Sequence, residues 1–427
     1  MLRVCLVAFL FCASPLWAQG LSRAEPEQVG LSSERLERIR PVMQSYIDDK
    51  ALAGSLLLIA RHGKVAYLES FGAMDREQGK PMREDVIFRI ASMTKAITSV
   101  AVMMLYEEGR FLLEDPISKY IPAFEEPKVL VPNAGMDAGY ELVPAKREIT
   151  IRDLLRHTSG ISYGFWGREH LHELYVEAGI SDGLTQTEGT MGEMVEKLAA
   201  LPLIGQPGEV WEYGLNTDVL GYLVEVVSGK SLDAFFRERI FAPLKMSDTH
   251  FFLPEDKLAR LAAVYRPGDK GIERLPETEQ TVLTAVFSTS FHYSGPRTFF
   301  SGGAGLVSTI GDYTRFLQML LNEGELEGTR LLSRKTVEMM TVNHIGDLDT
   351  LDPGRAFSLG FSVHNGPGVS GRIDSTGTYA WGGFFYTDYW VDPEEQLVGV
   401  FMAQLYPWNG LDAQDKFRVL SYQSIAD

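Results

Sequence analysis

Residues 89–97 read RIASMTKAI, with Ser92-Met93-Thr94-Lys95 inside them and an apolar run, AITSVAVMMLYEEG, beginning at Ala96. On a helix, positions i and i+3 share a face, with Cβ atoms roughly 5–6 Å apart. Long helical side chains also lean back toward the N-terminus, so Lys95 can bring its amine to the Ser92 hydroxyl. Free N–H groups and the macrodipole at a helix start favour negative charge developing at Ser92. Burial against an apolar helix disfavours an ammonium, and a neutral lysine is a competent base. A capping serine followed by a solvated lysine has the same spelling, so this stretch alone leaves both readings open. What it does decide is position. A helix apolar nearly all round, closed at Gly109, belongs at the centre of a protein.

Outward from that helix, Val29 to Tyr46 has helical spacing, with Ser32 or Ser33 as its cap. GSLLLIA (54–60), a His62-Gly63 turn and KVAYLESFG (64–72) read as a β-hairpin. Strand-like segments return only near the end, FFYTDYWVD (384–392) and EQLVGVFMAQ (395–404), before a last helix from about Ala413. Between them, 181–193 (SDGLTQTEGTMGE) reads as a long loop or lid. Gly311 to Gly324 and the stretch after Ser333 read as surface helices. The expectation is an α/β (α+β) unit whose antiparallel sheet is built from N- and C-terminal segments and flanked by helices. Its α/β part would take residues 24–100 and 295–427, and a mostly helical insertion 101–294. There is no internal repeat.

The first eighteen residues, MLRVCLVAFLFCASPLWA, carry one early positive charge, an apolar stretch and a small residue before Gln19. They read as a secretory signal cleaved after Ala18, which predicts a secreted or periplasmic protein. No later segment approaches a membrane span. Cys5 and Cys12 are the only cysteines and both lie in that leader, so residues 19–427 hold together through their core, without thiol chemistry. Formal net charge is −17, and −18 without the leader. An acidic chain with no basic run is unsuited to nucleic acid.

Two other chemistries compete with Ser92. Gly160-Ile161-Ser162-Tyr163-Gly164 and Gly179-Ile180-Ser181-Asp182-Gly183 both spell G-x-S-x-G. A nucleophile elbow needs a buried strand before it and a helix after it. LLRHTSG precedes the first copy and DGLTQTEG continues the second, so both read as turns. His170 and His172 diverge on a helix, and no histidine lies in an HExxH array; no metal site and no cofactor are expected. His157, in HTSG, reads as a loop-fixing residue.

Several segments recur together and in order: Ser92-Met93-Thr94-Lys95 with its helix, LLRHTSGI (154–161), PGEVWEYGLNTDVLGYLVEVVSG (207–229), SGGAGLVSTIGDYTRFLQMLLNEGELEG (301–328) and YAWGGFFYTDYWVDP (379–393). This set resembles the serine β-lactamase-like superfamily, which holds class C β-lactamases, DD-peptidases and family VIII carboxylesterases. The resemblance implies Ser92 as nucleophile, Lys95 as base and Tyr213 as partner in proton transfer. It implies Trp381, Gly382 and Gly383 as the strand closing the site, with an oxyanion hole from the Ser92 and Phe384 amides. Two departures bear on substrate. Tyr-x-Asn is replaced by Tyr213-Gly214-Leu215, with Asn216 one place late and facing elsewhere. A lysine that holds a substrate carboxylate is replaced by Trp381. Leu215 and Trp381 would make the pocket more apolar, as in family VIII carboxylesterases. The resemblance implies hydrolysis of small-molecule carboxylic esters of short to medium acyl chains, with weak β-lactam hydrolysis as a side activity. The alternative is a β-lactamase or a DD-peptidase or D-aminopeptidase acting on cell-wall peptides, and oligomeric state is not implied.

Overall fold

The computed structural model describes residues 20–166, 169–282, 284–350, 352, 354–408 and 410–427, so the leader-like segment lies outside the described residues. Its largest sheet uses β1 (Gly54–Arg61), β2 (Lys64–Asp75), β3 (Lys80–Pro81), β4 (Arg355–Phe357), β5 (Ser362–His364), β6 (Tyr379–Gly383), β7 (Thr387–Asp392) and β8 (Leu397–Met402). The order across the sheet is β4-β5-β6-β7-β8-β1-β2-β3, and every paired neighbour is antiparallel. Both ends of the chain therefore meet at the β8–β1 seam, where Leu57 pairs with Phe401 and Ile59 with Gly399. The hairpin turn at His62 and Gly63 has φ of 51° and 76°. Two left-handed residues give the turn whose twist matches the flanking strands.

Every residue of β1 is buried, which requires cover on both sheet faces. Five helices matter here: α1 (Ile39–Asp48), α2 (Thr94–Glu107), α3 (Asn216–Ser228), α4 (Ile310–Leu321) and α5 (Ala413–Tyr422). Leu57, Ile59 and Phe401 join Ile39 and Met43 of α1 and Phe417 of α5 in one core. Leu56, Leu58, Val398 and Val400 join α2 and α4 in a larger one, which runs on into the middle third of the chain. The result is a mixed α/β fold with helices on both faces of an antiparallel sheet.

Four expectations need correction. The 29–46 helix is broken: a short turn ends at Gly30 with φ 72°, Ser32 caps the separate turn Ser33–Leu36, and α1 starts only at Ile39. Phe384–Tyr386 is not strand but the turn between β6 and β7, with Tyr386 at φ 70°. Among the described residues, 101–294 also contain three small hairpins, such as Lys128–Pro132 with Tyr140–Pro144. Finally, α4 is no surface helix. All its residues but Gly311 are buried. The polar residues that gave it a surface spelling have partners inside: Arg315 donates to the Leu244 carbonyl at 2.6 Å and forms a two-point ion pair with Glu327.

A buried α4 has a measurable consequence. Leu317→Ala deletes a fully buried side chain from the core that α4 shares with the sheet, and should cost about 2–5 kcal/mol of unfolding free energy. Urea denaturation would detect it; on a surface helix the same change would stay within about 0.5 kcal/mol.

Candidate active site

The strand Ile87–Arg89, paired with Val307–Thr309, ends in the tight turn Ala91–Met93 from which α2 continues. Ala91 sits at φ 40°, a conformation an L-residue adopts only under constraint. The turn leaves Ser92 partly exposed between buried Ala91 and Met93. Opposite it, Gly383 of β6 explains why a glycine is needed: a Cβ there would lie 2.5 Å from the Ile90 carbonyl oxygen and would also strike Thr387 Oγ1. The strand is thereby pressed against the Ser92 turn, with the Phe384 amide next along the chain. On β6, β5 pairs with Tyr379 and Ala380 alone, so among the described residues Trp381–Gly383 pair with β7 on one side and have no strand on the other.

Lys95 is 2% exposed, and its Nζ lies 3.4 Å from Ser92 Oγ. The same nitrogen donates to the Tyr163 hydroxyl and to the Gly303 carbonyl, each at 2.8 Å. It also stands 4.7 Å above the centre of the Tyr213 ring. Tyr163 is the residue that sequence reasoning missed. It lies inside the first G-x-S-x-G copy, whose serine drew the attention. Gly214 brings the two tyrosines together, since a Cβ there would collide with the Ile161 carbonyl. Burial holds the Tyr163 phenol protonated, well above its ordinary range, and the nearby Tyr213, Asp218 and Asp182 push the same way. Tyr213 is fixed twice: its hydroxyl accepts from Trp381 Nε1 at 3.1 Å and its carbonyl from Trp166 Nε1 at 2.7 Å.

Behind Lys95, Asp218 Oδ1 accepts from the Gly303 amide and the Ser301 hydroxyl. Burial raises the Asp218 carboxyl, while the Lys95 charge and these hydrogen bonds lower it. Asn216 does face elsewhere. It accepts from Ser159 Oγ at 2.5 Å, and its carboxamide lies 2.9 Å from His157 Nδ1. Burial keeps His157 neutral, with its proton affinity well below the usual value. The histidine pins the loop, as its sequence context suggests.

Leu215 is a correction. It is fully buried at the start of α3 and belongs to the core, away from the cleft, because α3 must seat its first turn under α2. The rival serines also separate. Ser162 is sealed, donating to Glu212 at 2.5 Å, and Ser181 pairs with Thr187 at 2.9 Å. His170 and His172 both lie on the Glu169–Glu177 helix. Among the described residues no acidic, histidine or cysteine cluster is placed to hold a metal ion, and no helix is long and apolar enough to cross a membrane.

Ser92 opens onto a cleft of about 680 Å³. Its near walls are aromatic: Phe165, Trp166, Trp211, Tyr213, Trp381 and Phe384. Such a lining suits an apolar organic group, with few polar atoms to orient it. Comparison with known proteins adds the family. A sequence profile of the β-lactamase family matches residues 39–424.

The chain belongs to the β-lactamase family.

Within that family it is similar to esterase EstB of Burkholderia gladioli, with 32% identity across 83% of this chain and 86% of the relative. The solved structure of EstCE1, a hydrolase with promiscuous acyltransferase activity, superimposes with a TM-score of 0.81 at 28% identity, covering 91% of this chain and 99% of that one. ML-236A carboxylate methylbutanoyltransferase mlcH of Penicillium citrinum is 27% identical over 94% of this chain and 97% of its own. This β-lactamase-family chain is a serine hydrolase.

One acid beside the site provides a pH test. Asp182 accepts from the Gly164 amide at 3.0 Å, and burial pushes its carboxyl up to about 6 from an ordinary value of 3.8. An acid raised in the folded state binds its proton more tightly there than when unfolded. Its contribution to stability is therefore present below pH 4 and is lost as pH rises toward 6. Asp182→Asn should gain stability relative to the parent across that interval and keep a constant lead above pH 7. A difference in melting temperature that stays flat with pH would contradict the assignment.

Proposed function

We propose that this chain is an exported serine esterase that cleaves carboxylic esters of short to medium acyl chains through an acyl-Ser92 intermediate. The observation that carries the reading is the environment of Lys95 Nζ. Lys95 Nζ donates to the Gly303 carbonyl and the Tyr163 hydroxyl, both at 2.8 Å, and these two contacts hold it 3.4 Å from Ser92 Oγ. The only amine within reach of the Ser92 hydroxyl among the described residues is thus fixed beside it, at a separation that shortens once substrate is bound.

Ser92 Oγ attacks the ester carbonyl as Lys95 takes its proton. The oxyanion forms between the Ser92 and Phe384 amides, where two donors contribute several kcal/mol. Tyr213 accepts from Trp381, so its own phenolic proton is free to face the cleft. The Lys95/Tyr213 pair returns the proton to the leaving alcohol, then activates water to release the acid. Tyr163 stays a neutral phenol and orients the amine. EstB and EstCE1 support the ester reading, and the leader-like first eighteen residues support export. Trp381 opposes efficient β-lactam turnover, because it offers no charge to a carboxylate; slow β-lactam hydrolysis is a side activity. With Leu215 in the core, the case against a β-lactamase or DD-peptidase rests on Trp381 alone.

Acyl transfer to an alcohol is a second reading, favoured by the methylbutanoyltransferase relative and by aromatic walls that hold an organic acceptor better than water. Product analysis with an added alcohol would reveal it. For the main reading, Ser92→Ala should remove turnover of p-nitrophenyl butyrate by at least a thousandfold, whereas Ser181→Ala should retain it. Intact-mass detection of an acyl adduct on Ser92 completes the test. An unmodified Ser92 with full turnover would refute it.

A further inference from the structure

The cleft does not end at its aromatic walls. It continues past Gly382, where β6 has no side chain, to Asp352, Arg355, Asp388, Gln414 and Trp408. A Cβ on Gly382 would stand 3.0 Å from the Thr387 carbonyl and 3.5 Å from Asp388 Oδ1. The glycine keeps the passage open, and the carboxylate lies directly beside it.

Donors and acceptors are unevenly spent at this end. Asp388 Oδ2 takes Arg418 at 2.8 Å, leaving Oδ1 toward the passage. Asp352 Oδ2 is shared by Arg355 at 2.9 Å and Arg372 at 3.2 Å, leaving its Oδ1. Arg355 gives one long bond to Ser362 Oγ at 3.3 Å. Among the described residues, its Nη2 and the Gln414 carboxamide have no protein partner. Trp408 is about half exposed and lies beside Tyr386 with planes 28° apart.

This wall discriminates by charge. A carboxylate brought here can meet Arg355 but is repelled by Asp352 and Asp388 and leaves their free oxygens unpaired; a cation can meet those oxygens but is repelled by Arg355 and leaves its free nitrogen unpaired. An alkyl group would strand both the unspent donors and the unspent acceptors, each at a cost. A neutral polyhydroxylated group meets all of them, because each hydroxyl both donates and accepts, and its C–H face can lie on the indole.

We propose that the polar end of the cleft binds the alcohol half of the ester, and that this alcohol is a neutral polyol of the sugar or glycerol kind, with the acyl half against the aromatic walls. This rests on the ester reading above. The test compares acetates of four alcohols: methyl 6-O-acetyl-glucopyranoside, n-hexyl acetate, acetylcholine and O-acetyl-lactate. The glucoside should exceed hexyl acetate at least tenfold in kcat/KM, and the two charged esters should fall below both. Gln414→Leu and Trp408→Ala, both at the accessible rim, should each lower the glucoside-to-hexyl ratio at least fivefold, through KM. A ratio of one or less, a preference for either charged ester, or a ratio unmoved by both substitutions would overturn the proposal while ordinary hexyl acetate turnover left the esterase reading standing. Absence of turnover on every acetate, with Ser92 inert to a fluorophosphonate, would remove both.

Discussion

A lysine amine taken out of water must find partners, and everything around Ser92 is arranged by that requirement. Lys95 draws the nucleophile turn, the Tyr163 loop and the Gly303 loop onto one nitrogen, and lays that nitrogen over the Tyr213 ring. Removing any of the polar partners leaves a buried group unsatisfied, at a cost of about 1–3 kcal/mol. The same contacts that hold three distant segments together thus keep the amine beside the Ser92 hydroxyl. Asp218 extends the network one layer deeper, through the Gly303 amide.

The glycines of β6 divide their duties in a way that their shared spelling conceals. Gly383 permits close packing against Ile90, and so sets the distance between the strand and the nucleophile turn. Gly382 leaves an opening instead of a contact. Trp381, one place earlier, lines the same cleft and donates to the Tyr213 hydroxyl. Substituting an indole for a cation therefore does more than remove charge. It supplies a hydrogen bond to the tyrosine and a wall to the cleft.

How far the sequence reaches can be judged residue by residue. The His62-Gly63 hairpin and the final helix from Ala413 were legible because each depends on local spacing or on a turn that only certain residues make. The closeness of Lys95 to Ser92 followed from their i, i+3 spacing, whereas their roles came only from the resemblance. Tyr163 was not legible, since its role comes from meeting Lys95 across 68 positions of chain, a contact that Gly214 makes possible and no periodicity announces. The helix over 310–321 misled because Asp312, Arg315 and Gln318 resemble a solvated face. Their partners come from Asp248, Leu244, Glu327 and Asn322, all outside the helix. Leu215 misled for the opposite reason: two places from Tyr213 in the chain, it belongs to the core that seats the tyrosine. Phe384–Tyr386 carries a strand-like composition, yet the close approach of Gly383 forces a turn there.

The sheet's joining of β8 to β1 has a further meaning for how the protein comes into being. Ser92 and Lys95 are made early in synthesis, but the strand that faces them is completed only after residue 383, and its support, β8, after residue 402. A chain still emerging from the ribosome has a serine and a lysine but no second wall, no Phe384 amide and no cleft. The cleft beside Ser92 thus comes into being only with the last strands to be made.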